Sequence, residues 1–468
     1  MRKANSLVAG SLFLISLAAP NAADATFRTG IDAAGLYETG DQSQRERWLD
    51  TTVNLNAGIV RLDAHWGSMV TGKPANPTDP ADPAYDFSDF DEAIRDATAR
   101  NLRVMITFLS APPYAQGGGQ PAGVETGAWK PDPAELGAFA TAVASRYSGG
   151  FGGLPRVRYY EAWNEPNLDA YLAPQYEDGK SVAVDRYRQM VNAVEQAVSS
   201  VRGDNAVVGG SLAPYGDEPG GEPGGQRTRP LVFLRKFFCL NSKLKATGCP
   251  TKPRIDILSH HPINLSGGPR RSALDPDDVS SPDMKNVAQV LRAAERQGTI
   301  AGNRKRHPLW VTEFWWESFP DGPHAAIPGL NKHGRWIEEA LYLFWKAGVK
   351  TAIYYTLVDS PLDRQNPGAT LQAGLFLEDG TPKPAATAFR FPFVTERKSR
   401  RQVRAWGKSP ATGKLRIERE TKHGWRKVDS ENVKGGHVFQ AKLSLKGKAR
   451  LRASVAGQRS LVWTQGKH

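Results

Sequence analysis

From about residue 26 to about residue 390, short β-branched and aromatic runs alternate with helical stretches. No other feature limits the fold so strongly. The clearest helix spans about 181–201, where Val184, Tyr187, Val191, Val194, Val198 and Val201 recur at intervals of three and four and form one apolar face. A strand-like run precedes it at Val157–Ala162 and another follows at Ala206–Ser211. Strand, helix and strand in that rhythm imply a parallel sheet. Comparable runs at 26–32, 58–63, 102–108, 254–260, 308–312 and 350–357 make eight expected strands. Helices are expected over 42–56, 133–147, 231–240, 283–296 and 333–347.

Two of these runs end on a carboxylate. The first reads Tyr159-Tyr160-Glu161-Ala162-Trp163-Asn164-Glu165-Pro166-Asn167. Pro166 removes a donor and pushes the preceding residue towards an extended conformation, so the strand stops with Asn164 and Glu165 at its mouth. Strict alternation would send those two side chains to opposite faces, which implies a local twist or bulge. The second reads Trp310-Val311-Thr312-Glu313-Phe314-Trp315-Trp316. Paired strand-end carboxylates flanked by aromatics suit cleavage of a glycosidic bond, one as proton donor and the other as nucleophile or base.

These two motifs resemble the fourth- and seventh-strand motifs of clan A glycoside hydrolases, with families 39 and 5 as the nearest in pattern. The resemblance covers about residues 26–390 and implies a (β/α)8 TIM barrel that retains anomeric configuration. It further implies Glu165 as acid/base, Glu313 as nucleophile, and Asn164 as the ligand of the hydroxyl beside the anomeric carbon. Glu165 is then expected to have a raised pKa while Glu313 stays ionised. Arg61 resembles the second-strand Arg that orients the catalytic carboxylate; pairing with Glu161 inside the barrel is the other reading. The sixth strand of relatives carries a Tyr after its His; here His260-His261-Pro262 stands instead, and either His260 or His261 is a candidate for that place. Tyr355 occupies the position where relatives place a Trp beneath the sugar. His65, Trp66, Trp315 and Trp316 complete the expected substrate contacts, with Trp66 either a sugar platform or loop packing, and with one ring of Phe314-Trp315-Trp316 lining the cleft while the others pack.

Residues 1–25 read as a signal peptide: Arg2 and Lys3, the apolar run Leu7 to Ala19, then Ala23-Asp24-Ala25. The run is too short to span a bilayer, so a secreted or envelope-associated protein is expected and not a membrane-spanning one. In that setting Cys239 and Cys249, the two cysteines of the chain, are expected to be bridged. Residues 213–229, rich in Gly and Pro, read as a mobile loop.

After residue 396 the pattern changes. Glycines at 413, 424, 435, 447 and 457 punctuate short alternating runs, which implies a small all-β domain over 397–468 beside a barrel over 26–396. This tail holds 20 Lys and Arg against 4 Asp and Glu, whereas the preceding 396 residues hold 41 against 44. An anionic cell-envelope polymer is its expected partner, and nucleic acid is not. No phosphate-loop pattern is present, and no metal or organic cofactor is called for. The substrate expected is a poly- or oligosaccharide. Three readings stay open: a β-linked glycan, an α-L-arabinofuranoside or other envelope glycan cleaved by the same chemistry, or a barrel that binds carbohydrate without turnover.

Overall fold

The structure, a computed structural model, describes residues 27–217, 219–265, 267–319, 328–363 and 370–466. The expected leader lies outside the described residues. Eight parallel strands close into a barrel in chain order: β1 (Arg28–Asp32), β2 (Ile59–His65), β3 (Arg103–Leu109), β4 (Tyr159–Ala162), β5 (Ala206–Leu212), β6 (Ile257–His260), β7 (Leu309–Val311) and β8 (Val349–Tyr355). Around it run α1 (Gln42–Asn54), α2 (Ser88–Ala99), α3 (Pro133–Arg146), α4 (Ala183–Val201), α5 (Pro230–Phe237), α6 (Met284–Gln297), α7 (Leu330–Lys346) and α8 (Pro384–Arg390). The valine stripe of α4 is buried as its spacing predicts, apart from Val201 at the frayed end.

The barrel interior changes character along its axis. Ile59, Met105, Val208, Ile257, Trp310 and Ile353 pack into an apolar plug. Strand side chains repeat every second residue, so the next inward positions are Arg61, Thr107, Ser259 and Tyr355. Glu161 joins that layer, because β4 pairs Glu161 with Thr107. A polar layer therefore sits on an apolar floor at the carboxyl ends of the strands.

Residues 224–229 of the Gly- and Pro-rich segment are tied to the loop after β4 by hydrogen bonds. Asp169 accepts from the Gly224 N–H at 2.8 Å, the Gln226 side chain accepts from the Gln175 N–H at 3.0 Å, and the Thr228 N–H donates to the Asn167 carbonyl at 2.8 Å. The composition is that of a loop, but buried amides supply its backbone with partners. Cys239 and Cys249 are bridged, with Cα atoms 5.8 Å apart.

The C-terminal domain is two packed antiparallel sheets. One contains β9 (Phe393–Arg397), β10 (Gln402–Lys408) and β13 (Val438–Ser444). The other contains β11 (Gly413–Thr421), β12 (Gly424–Val433), β14 (Ala449–Val455), β15 (Gln458–Arg459) and β16 (Trp463–Gln465). Phe393, Val403, Leu415, Ile417, Phe439 and Leu451 fill the space between them. Trp406, on the opposite face of β10, is fully buried against Phe27, Tyr342 and Trp345 of the barrel. It is a packing residue between the two domains.

Lys408 ends the same strand inside this junction. It is 3% exposed, and its Nζ donates to Thr29 Oγ1 at 3.0 Å and to the Asn56 carbonyl at 2.8 Å. Burial, helped by Arg28, lowers its pKa to about 7. Between that value and the ordinary lysine range, at roughly pH 10.4, the unfolded chain binds more protons than the folded one. Stability therefore rises with pH across this window and is flat below it. Lys408→Met is expected to reduce that rise by on the order of a few kcal/mol. Chemical denaturation at pH 7 and pH 9.5 checks it; an unchanged pH dependence would contradict the assignment.

Candidate active site

Arg61 lies at the centre of the polar layer. Its side chain is 3% exposed and meets four carboxylates: Asp32 at 2.6 Å, Glu161 at 3.2 Å, Glu313 at 3.3 Å and Asp63 at 3.7 Å. It also donates to Thr107 Oγ1 at 2.9 Å and to Asn164 Oδ1 at 2.7 Å. Burial alone would lower the guanidinium pKa, but the surrounding carboxylates outweigh it and the net direction is upward. Burial pushes the Asp32 carboxyl up to about 8 although Arg61 pulls it down. Glu161 is fully buried beneath Arg61, where Thr107 and Ser259 donate to its two oxygens at 3.0 Å each. Arg61 Nε faces Glu161 inside the barrel, while its Nη1 reaches Glu313 and its Nη2 reaches Asn164.

The backbone after β4 turns as the paired polar side chains require. Trp163 has φ 74° and Glu165 has φ 38°, both in the left-handed region. The reversal breaks the strand alternation, so Asn164 and Glu165 both enter the site. Asn167 anchors the turn: its amide oxygen accepts from the Ala213 N–H at 2.8 Å and its Nδ2 donates to the Thr228 carbonyl at 3.0 Å. The Glu165 N–H donates to the Ser211 carbonyl of β5 at 3.0 Å.

His261 joins the two strand-end carboxylates. Its Nδ1 lies 3.0 Å from Glu165 Oε1 and 3.7 Å from Glu313 Oε2, and its Nε2 lies 3.1 Å from Thr312 Oγ1. Burial would lower its pKa; the Glu313 and Glu165 carboxylates reverse that and raise it. Glu313 is held by Arg61 and by the Trp315 indole N–H, which donates to Oε1 at 3.1 Å. Burial raises the Glu313 pKa and Glu165 adds to the shift, while His261 and Arg61 pull it down.

Alternation separates the histidine pair. Ile257, Ser259 and His261 face inward, while His260 is buried on the outer side beside Val279. Burial, and next His261, lower the His260 pKa to about 3, so it stays neutral and outside the site. Two tryptophans pack away from the site and are not sugar platforms. Trp66 is 1% exposed and stacks on Phe139 at 5.3 Å, so it is core and not a platform. Trp316 is 4% exposed, donates to the Gly267 carbonyl at 3.1 Å, and packs against Phe314 and Trp336. Its position in the chain puts it one residue out of phase with Trp315.

Tyr355 stays at the mouth; burial, then Asp32 and Glu313, raise its pKa to about 12. His65, at the exposed end of β2, lines a cavity of about 380 Å³ with Tyr171. Tyr171 is missed by the sequence reading: burial, then Glu165 and Glu313, raise its pKa, which marks it as a neighbour of the pair. Thr312, Thr107 and Ser259 are missed too; their only signal is an inward phase shared with charged residues. Among the described residues no group of three His, Cys, Asp or Glu is arranged to hold a metal ion, and no helix is long and apolar enough to cross a membrane.

Comparison with solved structures is now informative. A family 39 glycoside hydrolase from the gut symbiont Bacteroides cellulosilyticus WH2 aligns with a TM-score of 0.53 and 16% identity, over 90% of this chain and 81% of that one. The chain shares that enzyme's fold. A glucosidase from Croceicoccus marinus aligns at 0.50 and 15% identity, over 90% of this chain and 94% of its own. No protein-family model matches the sequence, and no curated protein matches it. At such identities the likeness concerns the barrel and its C-terminal domain, while the site stands on its own geometry.

Removing the Arg61 charge would leave the buried Glu161 and its neighbours uncompensated. Arg61→Met is expected to destabilise the fold by about 3–5 kcal/mol. Urea unfolding of the variant checks this, and a loss under about 1 kcal/mol would contradict the central place given to Arg61.

Proposed function

We propose that the chain is a secreted glycoside hydrolase that cleaves a β-linked poly- or oligosaccharide with retention of configuration. One observation carries the reading: a single nitrogen of His261 lies 3.0 Å from one strand-end carboxylate and 3.7 Å from the other. Two carboxylates gathered on one ring nitrogen suit double displacement, in which acid and nucleophile flank the anomeric carbon with their carboxyl groups about 5–5.5 Å apart. Glu165 gives its proton to the leaving oxygen as Glu313 attacks the anomeric carbon. Glu165 then takes a proton from the water that releases the glycosyl group. Asn164 has its amide oxygen occupied by Arg61, which leaves its NH₂ for the neighbouring sugar hydroxyl. Tyr355 and Trp315 flank the sugar.

Export is supported by the Cys239–Cys249 bridge, which persists in an oxidising compartment. The basic C-terminal domain meets an anionic polymer in this reading.

The test is reducing-end release from xylan, glucan, mannan, arabinan and an acidic exopolysaccharide by the protein without its leader, beside Glu313→Ala. At least one polymer is expected to be cleaved, with the variant at least about 10³-fold slower. Equal release by both proteins, or none by either on every polymer, would overturn the proposal.

A further inference from the structure

The outer face of one C-terminal sheet holds cations that its own carboxylates leave unpaired. On β11, Leu415 and Ile417 point into the domain core, so Lys414 and Arg416 stand on the solvent side. On β14, Leu451 and Ala453 are buried and Arg450, Arg452 and Ser454 face out with them. The register sets Arg416 opposite Ser454, and Ser454 opposite Arg459 of β15. Lys414, Arg416 and Arg459 thus gather round Ser454 and Gly457 on the rim of a groove of about 340 Å³.

Of the acids on this face Glu418 lines the groove beside Arg452 and Glu420 lies beyond it, and both are already engaged. Arg452 pairs with Glu418 at 2.8 Å, and Arg450 pairs with Glu420 at 2.6 Å. Lys414, Arg416 and Arg459 are exposed, and among the described residues they have no carboxylate partner. The barrel is met by Trp406 and Lys408 of the other sheet and by Trp463 of β16, none of which lines this groove.

We propose that the groove binds an anionic polysaccharide, whose carboxylate groups pair with Lys414, Arg416 and Arg459. The inference rests on the reading that the C-terminal domain meets an anionic polymer, and it gives that partner a site. Guanidinium forks match carboxylates bidentately. The Ser454 hydroxyl between them suits a chain rich in hydroxyls. Single-stranded nucleic acid would need aromatic platforms, but no aromatic ring lines the groove. The nearby Trp425 has the Arg452 guanidinium over its face at 4.1 Å. A bilayer would need exposed bulky apolar side chains to insert, and Val455, the largest apolar residue of the lining, is 2% exposed.

Affinity electrophoresis of the full chain tests this, with polygalacturonate as the probe and dextran as the neutral control. Polygalacturonate is expected to retard the protein, with binding that weakens as salt rises. Lys414→Ser/Arg416→Ser/Arg459→Ser is expected to raise the dissociation constant at least tenfold. A charge-matched control on exposed turns, Lys422→Ser/Lys446→Ser/Lys448→Ser, is expected to change it less than threefold. Equal losses in both variants would overturn the site and leave an anionic partner in place. No retardation of the wild type would overturn the site and the wider reading together. Tighter binding of duplex DNA or phosphatidylserine vesicles through the same three residues would also overturn the proposal.

Discussion

The buried guanidinium of Arg61 is the interaction on which the mouth of this barrel depends. A charge withdrawn from water is tolerated only when opposite charges and hydrogen bonds replace its solvent. Here the replacements come from four different parts of the barrel: Asp32 on β1, Thr107 on β3, Glu161 and Asn164 at β4, and Glu313 after β7. Each partner gains orientation from the same planar group. A lysine would neutralise charge without fixing these directions, because its ammonium is a point donor on a flexible stem. The geometry of Glu313 and Asn164 is therefore a consequence of how the interior is neutralised.

The second constraint is backbone phase. An inward position recurs every second residue, which delivers Arg61, Glu161, Ser259 and His261 to one cavity. A regular strand cannot also deliver Asn164 and Glu165 together, and positive φ at Trp163 and Glu165 achieves it. The strain is held by Asn167, buried among carbonyls of the following loops. His261 then couples the two carboxylates through one ring nitrogen, while Thr312 engages the other. The His261 imidazole and the Glu313 carboxyl each act on the other's pKa, the carboxylate raising that of the ring and the ring lowering that of the carboxyl.

Much of this was legible in the chain. The strand runs and the α4 stripe revealed the barrel, because burial on a sheet and on a helix leaves different periods. The motif ending at Glu165 even implied the broken alternation. What was not legible depended on phase between distant segments. His260 and His261 are chemically identical neighbours, and only the inward phase set by Ser259 tells them apart. Trp66 and Trp316 look like sugar platforms by type, yet each packs on rings far away in sequence, Phe139 and Trp336. Tyr171 carries no local signal at all. In the Gly-rich 213–229 segment composition reports the absence of regular structure and says nothing of Asp169 and Asn167, whose side chains bond the backbone of 224–228.

The C-terminal domain is joined to the barrel by packing and hydrogen bonds, with Trp406 among barrel aromatics and Lys408 against Thr29 and Asn56. The residues that line the groove of the other sheet take no part in that junction, so the proposed polymer site and the proposed catalytic site are built from separate residues. The cleavage chemistry is what the whole arrangement of Arg61, His261 and the carboxylate pair must explain. The most direct measurement is proton NMR of the reducing end first released from a cleaved polysaccharide, recorded before mutarotation. The account predicts the same anomeric configuration as in the bond that was broken. An inverted anomer would show that water, and not Glu313, attacks the anomeric carbon, and would contradict it.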